Sequence, residues 1–183
     1  MNREQLAHVL RAAARIADDP DIVVLGSQAI LGSYDESELP ADVMLSMEAD
    51  LAFRNDANER KSDQVDGAIG EASQFHETYA YYAQGVSITT ATLPTGWESR
   101  VVKFDRPDAE PSRAVCVEAH DLVLAKLVAG REKDFEFAAA LMRAGLVDID
   151  TLVERAALLP VPGAVTSRVR AAIGRCARAA AED

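Results

Sequence analysis

The sequence has few cysteines and no long apolar run, and each shortage excludes a class of protein. Its two cysteines, Cys116 and Cys176, lie far apart and in no metal-binding spacing, so we expect two reduced thiols and no disulfide framework. No apolar run approaches the roughly 18 residues that a membrane-crossing helix requires. The N-terminal residues form an amphipathic pattern without the apolar core of a signal peptide. These features predict a cytoplasmic protein that has no membrane partner.

Positive charge is also scarce. Among the 183 residues, 19 lysines and arginines stand against 30 acids, which gives a net charge of -11 and a pI near 4.7. A general nucleic-acid binder usually carries a basic face, so this charge argues against broad nucleic-acid binding. An acidic chain can still carry a local basic patch, and the same charge suits a protein that docks on a basic partner.

Length and hydrophobic patterning predict one domain, or one domain with a small helical appendage. Apolar residues at helical spacing predict a first helix over residues 2–17, which Asp18-Asp19-Pro20 ends. Beyond it, apolar and β-branched runs predict strands, and a polar segment predicts an exposed helix on the sheet. The strands are expected at 22–25, 46–53, 86–93, 100–104 and 114–117, and the exposed helix within 54–71. Residues 75–82 fit either a short helix or a strand.

From residue 118 onward, the pattern predicts helices only. The order of elements therefore predicts an α+β fold, with a small mixed β-sheet flanked by helices in residues 1–117. Residues 118–183 form a helical C-terminal part that packs on this sheet core, so that the chain is a single compact unit. The last helix exposes four arginines, at positions 168, 170, 175 and 178, as a solvated face or as a surface for RNA or an acidic partner.

A Gly-Ser turn and two acidic residues are the candidate functional residues of the predicted sheet. Gly26 and Ser27 follow the first strand, where a turn that opens a helix offers backbone N–H groups and a hydroxyl to a phosphate. Glu48 and Asp50 lie two residues apart in a strand, so both carboxylates project from one face. Mg²⁺ favours such carboxylates together with substrate phosphates. The pattern predicts a site for a metal-bound nucleoside triphosphate.

Each of these features also has a simpler interpretation. Glu48 and Asp50 fit a pair of acids at the solvated end of a strand. Gly26 and Ser27 fit a plain strand-to-helix turn that needs a small residue. Asp42 competes as a metal ligand, because the segment that it begins also has a strand-like pattern.

The order of these motifs resembles the signature of the nucleotidyltransferase superfamily, which is Gly-(Gly/Ser), a spacer, and then (Asp/Glu)-x-Asp on the next strand. Gly26-Ser27 and Glu48-Ala49-Asp50 carry this resemblance. Residues 46–51 are also similar to the Thr-x-Asp-x-Asp-Leu motif of the AbiEii/MenT-like branch, with Ser for Thr and Glu for the first Asp. That branch includes toxins of bacterial toxin–antitoxin pairs. The resemblance covers residues 20–145 and implies a sheet of the nucleotidyltransferase type.

A second block, residues 121–134, is similar to the branch's pattern of Asp-Leu, a lysine, and then a basic residue followed by an acid. Lys126 lies in an otherwise apolar helix, where burial of an unpaired ammonium group is unfavourable. A phosphate or an acidic partner for Lys126 resolves that conflict. The alternative is that the ammonium group of Lys126 reaches solvent from the edge of the helix. The resemblance implies that Lys126, Arg131 and Asp134 belong to the nucleotide-binding residues. Asp134 orients Lys126, supplies a third ligand, pairs with Arg131, or caps the following helix.

Two further points concern the same site. Lys126 and Lys133 are seven residues apart, so they share a face only if Gly130 leaves the helix unbroken. Many active members of the superfamily carry a third carboxylate on a neighbouring strand, but this sequence has no acid between Glu77 and Glu98. Gln84 lies near the expected position, and Glu98 is an alternative at a turn.

The resemblance implies an enzyme in which Glu48 and Asp50 hold Mg²⁺ and Gly26, Ser27 and Lys126 bind the triphosphate of an NTP. It implies transfer of a nucleoside monophosphate to an RNA, such as a tRNA, or to a protein. It also implies a toxin with a cognate antitoxin as partner. Two alternatives stay open: a small-molecule nucleotidyltransferase of the antibiotic-modifying kind, and a non-catalytic module that binds a partner through an acidic face.

Overall fold

The computed structural model describes residues 1–182, and their central feature is a five-stranded mixed β-sheet in the order β3-β2-β1-β5-β4. β1 runs antiparallel to β2 and parallel to β5, β2 runs parallel to β3, and β4 runs antiparallel to β5. The predicted α+β class with a mixed sheet is therefore confirmed. The strands are β1 (Ile22–Val24), β2 (Glu48–Phe53), β3 (Tyr82–Gly85), β4 (Val102–Lys103) and β5 (Val115–Cys116).

Eight α-helices surround this sheet within residues 1–182. They are α1 (Arg3–Ile16), α2 (Ile30–Ser33), α3 (Arg60–Ile69), α4 (Gln74–Tyr79), α5 (Ala119–Ala129), α6 (Glu132–Arg143), α7 (Ile149–Ala156) and α8 (Gly163–Glu182). Helix α1 packs against α3 and β3, whereas α5 to α8 pack against one another. Across the same residues, no helix is both long and apolar enough to cross a membrane.

β1 is the centre of the core, because Ile22, Val23 and Val24 are all fully buried. A strand that is covered on both faces needs an uninterrupted apolar sequence, which β1 has. Helix α1 buries Leu6 and Leu10 in the same core, and its first turn is fixed by a capping box between Asn2 and Gln5. The position of β1 determines where the turn that follows it emerges, and that turn begins the candidate site.

The prediction of a strand over residues 86–93 is wrong. β3 ends at Gly85, and the last hydrogen bond that it shares with β2 runs from the Val86 N–H to the Leu51 carbonyl. The strand that pairs with β2 comes from the aromatic segment 75–82 and its continuation. That segment contains both predicted alternatives, because Ala80 adopts a left-handed conformation (φ 61°) that ends α4 just before β3 begins.

The helix predicted within residues 54–71 is shorter and more buried than expected. It begins at Arg60, after a turn in which the Asp56 carboxylate accepts the backbone N–H groups of Lys61 and Ser62. Val65 and Ile69 are buried, so one face of α3 belongs to the core. The strands expected at 100–104 and 114–117 are present, but β4 and β5 have two residues each.

Buried ion pairs hold the N-terminal end of α5 in place. Asp121 is fully buried and pairs with Arg100 at 2.7 Å and with Arg155 of α7 at 3.1 Å. Arg155 also contacts Glu118 at 2.5 Å, and Glu118 lies 2.6 Å from Nδ1 of His120. These contacts fix α5 to α7 and to the loop that precedes β4.

Candidate active site

Most of the predicted site residues line one cavity of about 370 Å³. Its polar wall contains the turn after β1, the start of β2, one residue of β3, and the region where α5 gives way to α6. The polar side chains and the glycine of this wall are Gly26, Ser27, Ser46, Glu48, Asp50, Gln84, Lys126, Arg131 and Lys133. The rest of the cavity wall is mainly apolar and includes Leu25, Val86, Leu93, Val117, Leu122 and Val128. Asp42 is exposed and does not line the cavity.

The two carboxylates of β2 lie side by side at this cavity. Glu48 and Asp50 are separated by Ala49, which is fully buried on the other face of the strand, as strand alternation requires. Burial and the adjacent negative charge of Glu48 raise the pKa of Asp50 to about 6. A raised pKa means that the surrounding residues compensate the charge of this carboxylate only in part. The pair therefore favours the binding of a cation.

Gly26 leaves the space that the Asp50 carboxylate occupies. A Cβ atom at position 26 would lie 1.7 Å from Oδ2 of Asp50, far inside van der Waals contact. Gly26 also has φ 55°, in the left-handed region that glycine adopts without strain. The turn needs glycine for both reasons, and the close approach brings the backbone of residues 26–27 next to the carboxylate pair.

Lys126 reaches from α5 to the Gly-Ser turn. Its ammonium nitrogen donates a hydrogen bond to Oγ of Ser27 at 2.9 Å and pairs with Oδ1 of Asp134 at 3.4 Å. Lys126 is 7% exposed, and its Nζ lies 4.5 Å from the centre of the Phe137 ring. Burial lowers the pKa of Lys126, and the nearby Asp134 carboxylate opposes that change. An acidic partner, not solvent, therefore resolves the conflict that the sequence indicated.

Asp134 is fully buried behind the cavity wall, and its carboxylate contacts two positively charged side chains. Besides Lys126, it accepts a hydrogen bond from Nε of Arg131 at 2.8 Å and one from the Arg131 backbone N–H at 3.2 Å. Two of the expected roles of Asp134 thus coincide, because it contacts Lys126 and pairs with Arg131. The expectation that Asp134 is the N-cap of α6 is wrong: Arg131 is the N-cap, and Asp134, three residues later, accepts its backbone N–H. Gly130 (φ 70°) ends α5, so Lys126 and Lys133 lie on different helices and the shared-helix alternative is excluded.

Side chains of β3 lie beside the two carboxylates of β2. The register pairs Glu48 with Tyr82 and Asp50 with Gln84. The Tyr82 hydroxyl donates a hydrogen bond to Oε2 of Glu48 at 3.1 Å, and burial together with the Glu48 charge raises the pKa of Tyr82 to about 12. Sequence reasoning missed Tyr82, because no local pattern shows which residue of β3 pairs with Glu48.

The third carboxylate is absent from the cavity within residues 1–182. No group of three or more His, Cys, Asp or Glu residues in that range is arranged to hold a metal ion. Glu98 lies in a turn outside the cavity, whereas Gln84 lines it. Two neighbouring carboxylates that line the cavity and whose charge is compensated only in part fit one divalent cation.

A family model described as "Nucleotidyltransferase of unknown function (DUF6036)" matches residues 4–159. That range includes every residue of the cavity. No curated protein matches the chain, and no solved structure matches it.

Proposed function

Because the chain belongs to the DUF6036 family of nucleotidyltransferases, we propose that it transfers a nucleoside monophosphate from an NTP to an RNA acceptor with Mg²⁺. The observation that carries this proposal is the contact between Lys126 and Ser27 beside the carboxylate pair. It brings an ammonium group, a hydroxyl and two carboxylates to one cavity. A triphosphate with its cation needs both kinds of group, because the ammonium group attracts the phosphates and the carboxylates bind the cation.

In this proposal, the residues of the site position the triphosphate. Glu48 and Asp50 hold Mg²⁺, which supplies charge neutralisation for the phosphates when it is bound. The Gly26-Ser27 backbone and hydroxyl bind phosphate oxygens, and Lys126 supports them with positive charge. Arg131 and Lys133 at the cavity wall add further cationic contacts. The apolar wall receives the nucleoside.

The reaction follows from this placement. The hydroxyl oxygen of the acceptor forms a bond to the α-phosphorus, the bond from that phosphorus to the bridging β-phosphate oxygen breaks, and pyrophosphate leaves with the electron pair. The hydroxyl proton passes through water to the departing pyrophosphate. Chemistry of this kind relies on alignment of the reactants and on stabilisation of developing charge. Lys126 is held at its position by Asp134, so its charge needs little reorganisation during the reaction.

RNA is the proposed acceptor because of the charge on α8. The chain as a whole carries a net charge of -11, yet α8 exposes four arginines and has a single acid, Glu182. Arg168 donates a hydrogen bond to the carbonyl of Val128, which lines the cavity. α8 therefore offers a local basic surface close to the cavity, although α6, which packs against α8, carries Glu132 and Glu136. A tRNA fits the role of such an acceptor, and a protein or small-molecule acceptor is an alternative outcome.

We also propose, from the motif that resembles the AbiEii/MenT-like branch, that the chain is the toxin of a toxin–antitoxin pair. The motif is Ser46 to Leu51 at the start of β2. Expression in bacteria tests this proposal: wild type is expected to arrest growth, and Asp50→Asn is expected not to do so. Growth arrest by both forms would contradict an enzymatic toxin.

A non-catalytic partner-binding module is the second candidate, and the missing third carboxylate favours it. Nucleotide binding distinguishes the two candidates. Titration calorimetry with each of the four NTPs is expected to show binding that requires Mg²⁺ in wild type and is lost in Asp50→Asn. Equal affinity in the two forms, or no binding to a folded wild type, would favour the module.

A further inference from the structure

Gln84 occupies a defined position next to the carboxylate pair. β2 and β3 are parallel neighbours, and the register makes Gln84 the partner of Asp50. Neighbouring strands lie about 4.8 Å apart, so side chains of register partners on one face are adjacent. Gln84 and Asp50 both line the cavity, so they share that face. A carboxylate at position 84 would complete a three-acid cluster, but the residue there is a neutral amide.

The rest of the cavity offers no substitute for this carboxylate. Its uncharged polar side chains are Ser27, Ser46, Gln84, Thr90 and Thr92. Apart from Glu48 and Asp50, its charged side chains are the cationic Lys126, Arg131 and Lys133. Asp134 is a further acid next to the cavity wall, but it is fully buried and already pairs with Lys126 and Arg131. Tyr82 is engaged with Glu48. The described cavity therefore has ligands for one cation, not for two.

We infer that Gln84 limits this site to a single divalent cation, so that the acceptor meets a carboxamide instead of a second cation. A carboxamide is uncharged and carries both a donor and an acceptor, which suits a hydroxyl group. A glutamate there would add a third negative charge on the strand next to Asp50 and would strengthen cation binding. This inference deepens the proposed function, because it names the residue that decides how many cations the nucleotidyltransferase site holds.

The test measures the number of bound cations and does not depend on enzymatic turnover. Electron paramagnetic resonance of free Mn²⁺ gives the number of Mn²⁺ ions bound to wild type, Gln84→Glu and Asp50→Asn in the absence of nucleotide. The difference between wild type and Asp50→Asn gives the number held by the carboxylate pair and removes weak binding to other surface acids. We expect a difference of one ion. We expect Gln84→Glu to bind a second ion or to bind the first at least about tenfold more tightly.

A matched control separates the position from the charge. Gln64 is exposed on α3 and does not line the cavity, so Gln64→Glu adds the same charge elsewhere. It is expected to bind Mn²⁺ as wild type does. Two ions lost together in Asp50→Asn, or a Gln84→Glu variant indistinguishable from Gln64→Glu, would overturn the single-cation inference.

The inference and the proposed function fail in different ways. Transfer of labelled nucleotide by an enzyme that holds two ions would leave the function in place and refute the role of Gln84. Folded wild type that binds no Mn²⁺ at the carboxylate pair, even with a non-hydrolysable ATP analogue present, would contradict the metal site itself and both claims with it.

Discussion

Lys126 donates a hydrogen bond from its ammonium group to the Ser27 hydroxyl at 2.9 Å, although 99 residues separate the two along the chain. The contact joins α5 to the turn after β1, directly beside the carboxylates of β2. It explains why a lysine lies in an otherwise apolar helix. The same contact identifies Lys126 as the residue whose replacement distinguishes a chemical role from a structural one.

Replacement of Lys126 by methionine is expected to lower nucleotide transfer by about 100-fold or more, the loss typical of a removed charge-stabilising donor. Methionine is unbranched and apolar, so it fills the space beside Phe137, and Asp134 keeps its pairing with Arg131. The stability of Lys126→Met should therefore stay close to that of wild type in urea unfolding. Full activity in a folded Lys126→Met variant would contradict the proposed role.

Replacement of Asp134 by alanine is expected to destabilise the fold by about 3–5 kcal/mol, because it leaves Lys126 buried without its counter-charge. Urea unfolding measures this loss. Asp63→Ala removes an exposed acid from the first turn of α3 and serves as the control, with a change of at most about 1 kcal/mol. The double variant Lys126→Met/Asp134→Ala should recover part of the lost stability, and no recovery would refute the pairing.

Asp50→Asn is expected to raise the thermal stability of the metal-free protein at pH 7.5. The pKa of Asp50 is raised to about 6 in the fold, so its contribution to stability is present below its ordinary pKa of 3.8 and is lost as the pH rises through 6. The advantage of Asp50→Asn should therefore be large at pH 7.5 and small at pH 4. Mg²⁺ should reverse the order at pH 7.5, since it binds the folded wild type.

Asp42→Asn is the control for that experiment, because Asp42 is exposed and lies outside the cavity. Its melting temperature is expected to match that of wild type with and without Mg²⁺. A Mg²⁺ response that disappears in Asp42→Asn and persists in Asp50→Asn would reassign the metal ligand to the competing acid.

Gly26→Ala is expected to destabilise the fold and abolish nucleotide binding, because the new methyl group would displace the Asp50 carboxylate. Gly67→Ala is the matched control: position 67 lies inside α3 with no atom within 4 Å of the added carbon. That variant should gain up to about 1 kcal/mol, since alanine is favoured over glycine in a helix. Calorimetric melting measures the stability of both variants, and NTP titration measures their nucleotide binding. Normal nucleotide binding by Gly26→Ala would contradict the proposed role of the turn.

The parts of the site that are local in sequence could be predicted. The apolar run of β1, the Gly-Ser turn after it, and the Glu-x-Asp spacing in β2 each follow from alternation or from turn chemistry. The α+β class followed from the order of these elements. The unfavourable burial of Lys126 predicted a partner for its charge, and Asp134 is that partner.

The parts that depend on pairing between distant segments could not be predicted. The β-branched residues of 86–93 fit a strand, but β2 pairs with 82–85, and only the register shows Tyr82 beside Glu48 and Gln84 beside Asp50. Likewise, sequence spacing left open whether Gly130 interrupts the helix. Its left-handed conformation places Lys133 at the start of α6, although Lys133 still reaches the cavity.

The central claim is nucleotide transfer that depends on the carboxylate pair, and transfer of label from α-³²P NTPs tests it most directly. Each of the four NTPs is incubated with Mg²⁺ and with total RNA or total protein, for wild type and for Asp50→Asn. We predict label in RNA with wild type and none with Asp50→Asn, in which case the productive NTP also identifies the preferred base. Absence of label from RNA and protein with a folded wild type, or equal labelling by Asp50→Asn, would contradict the account.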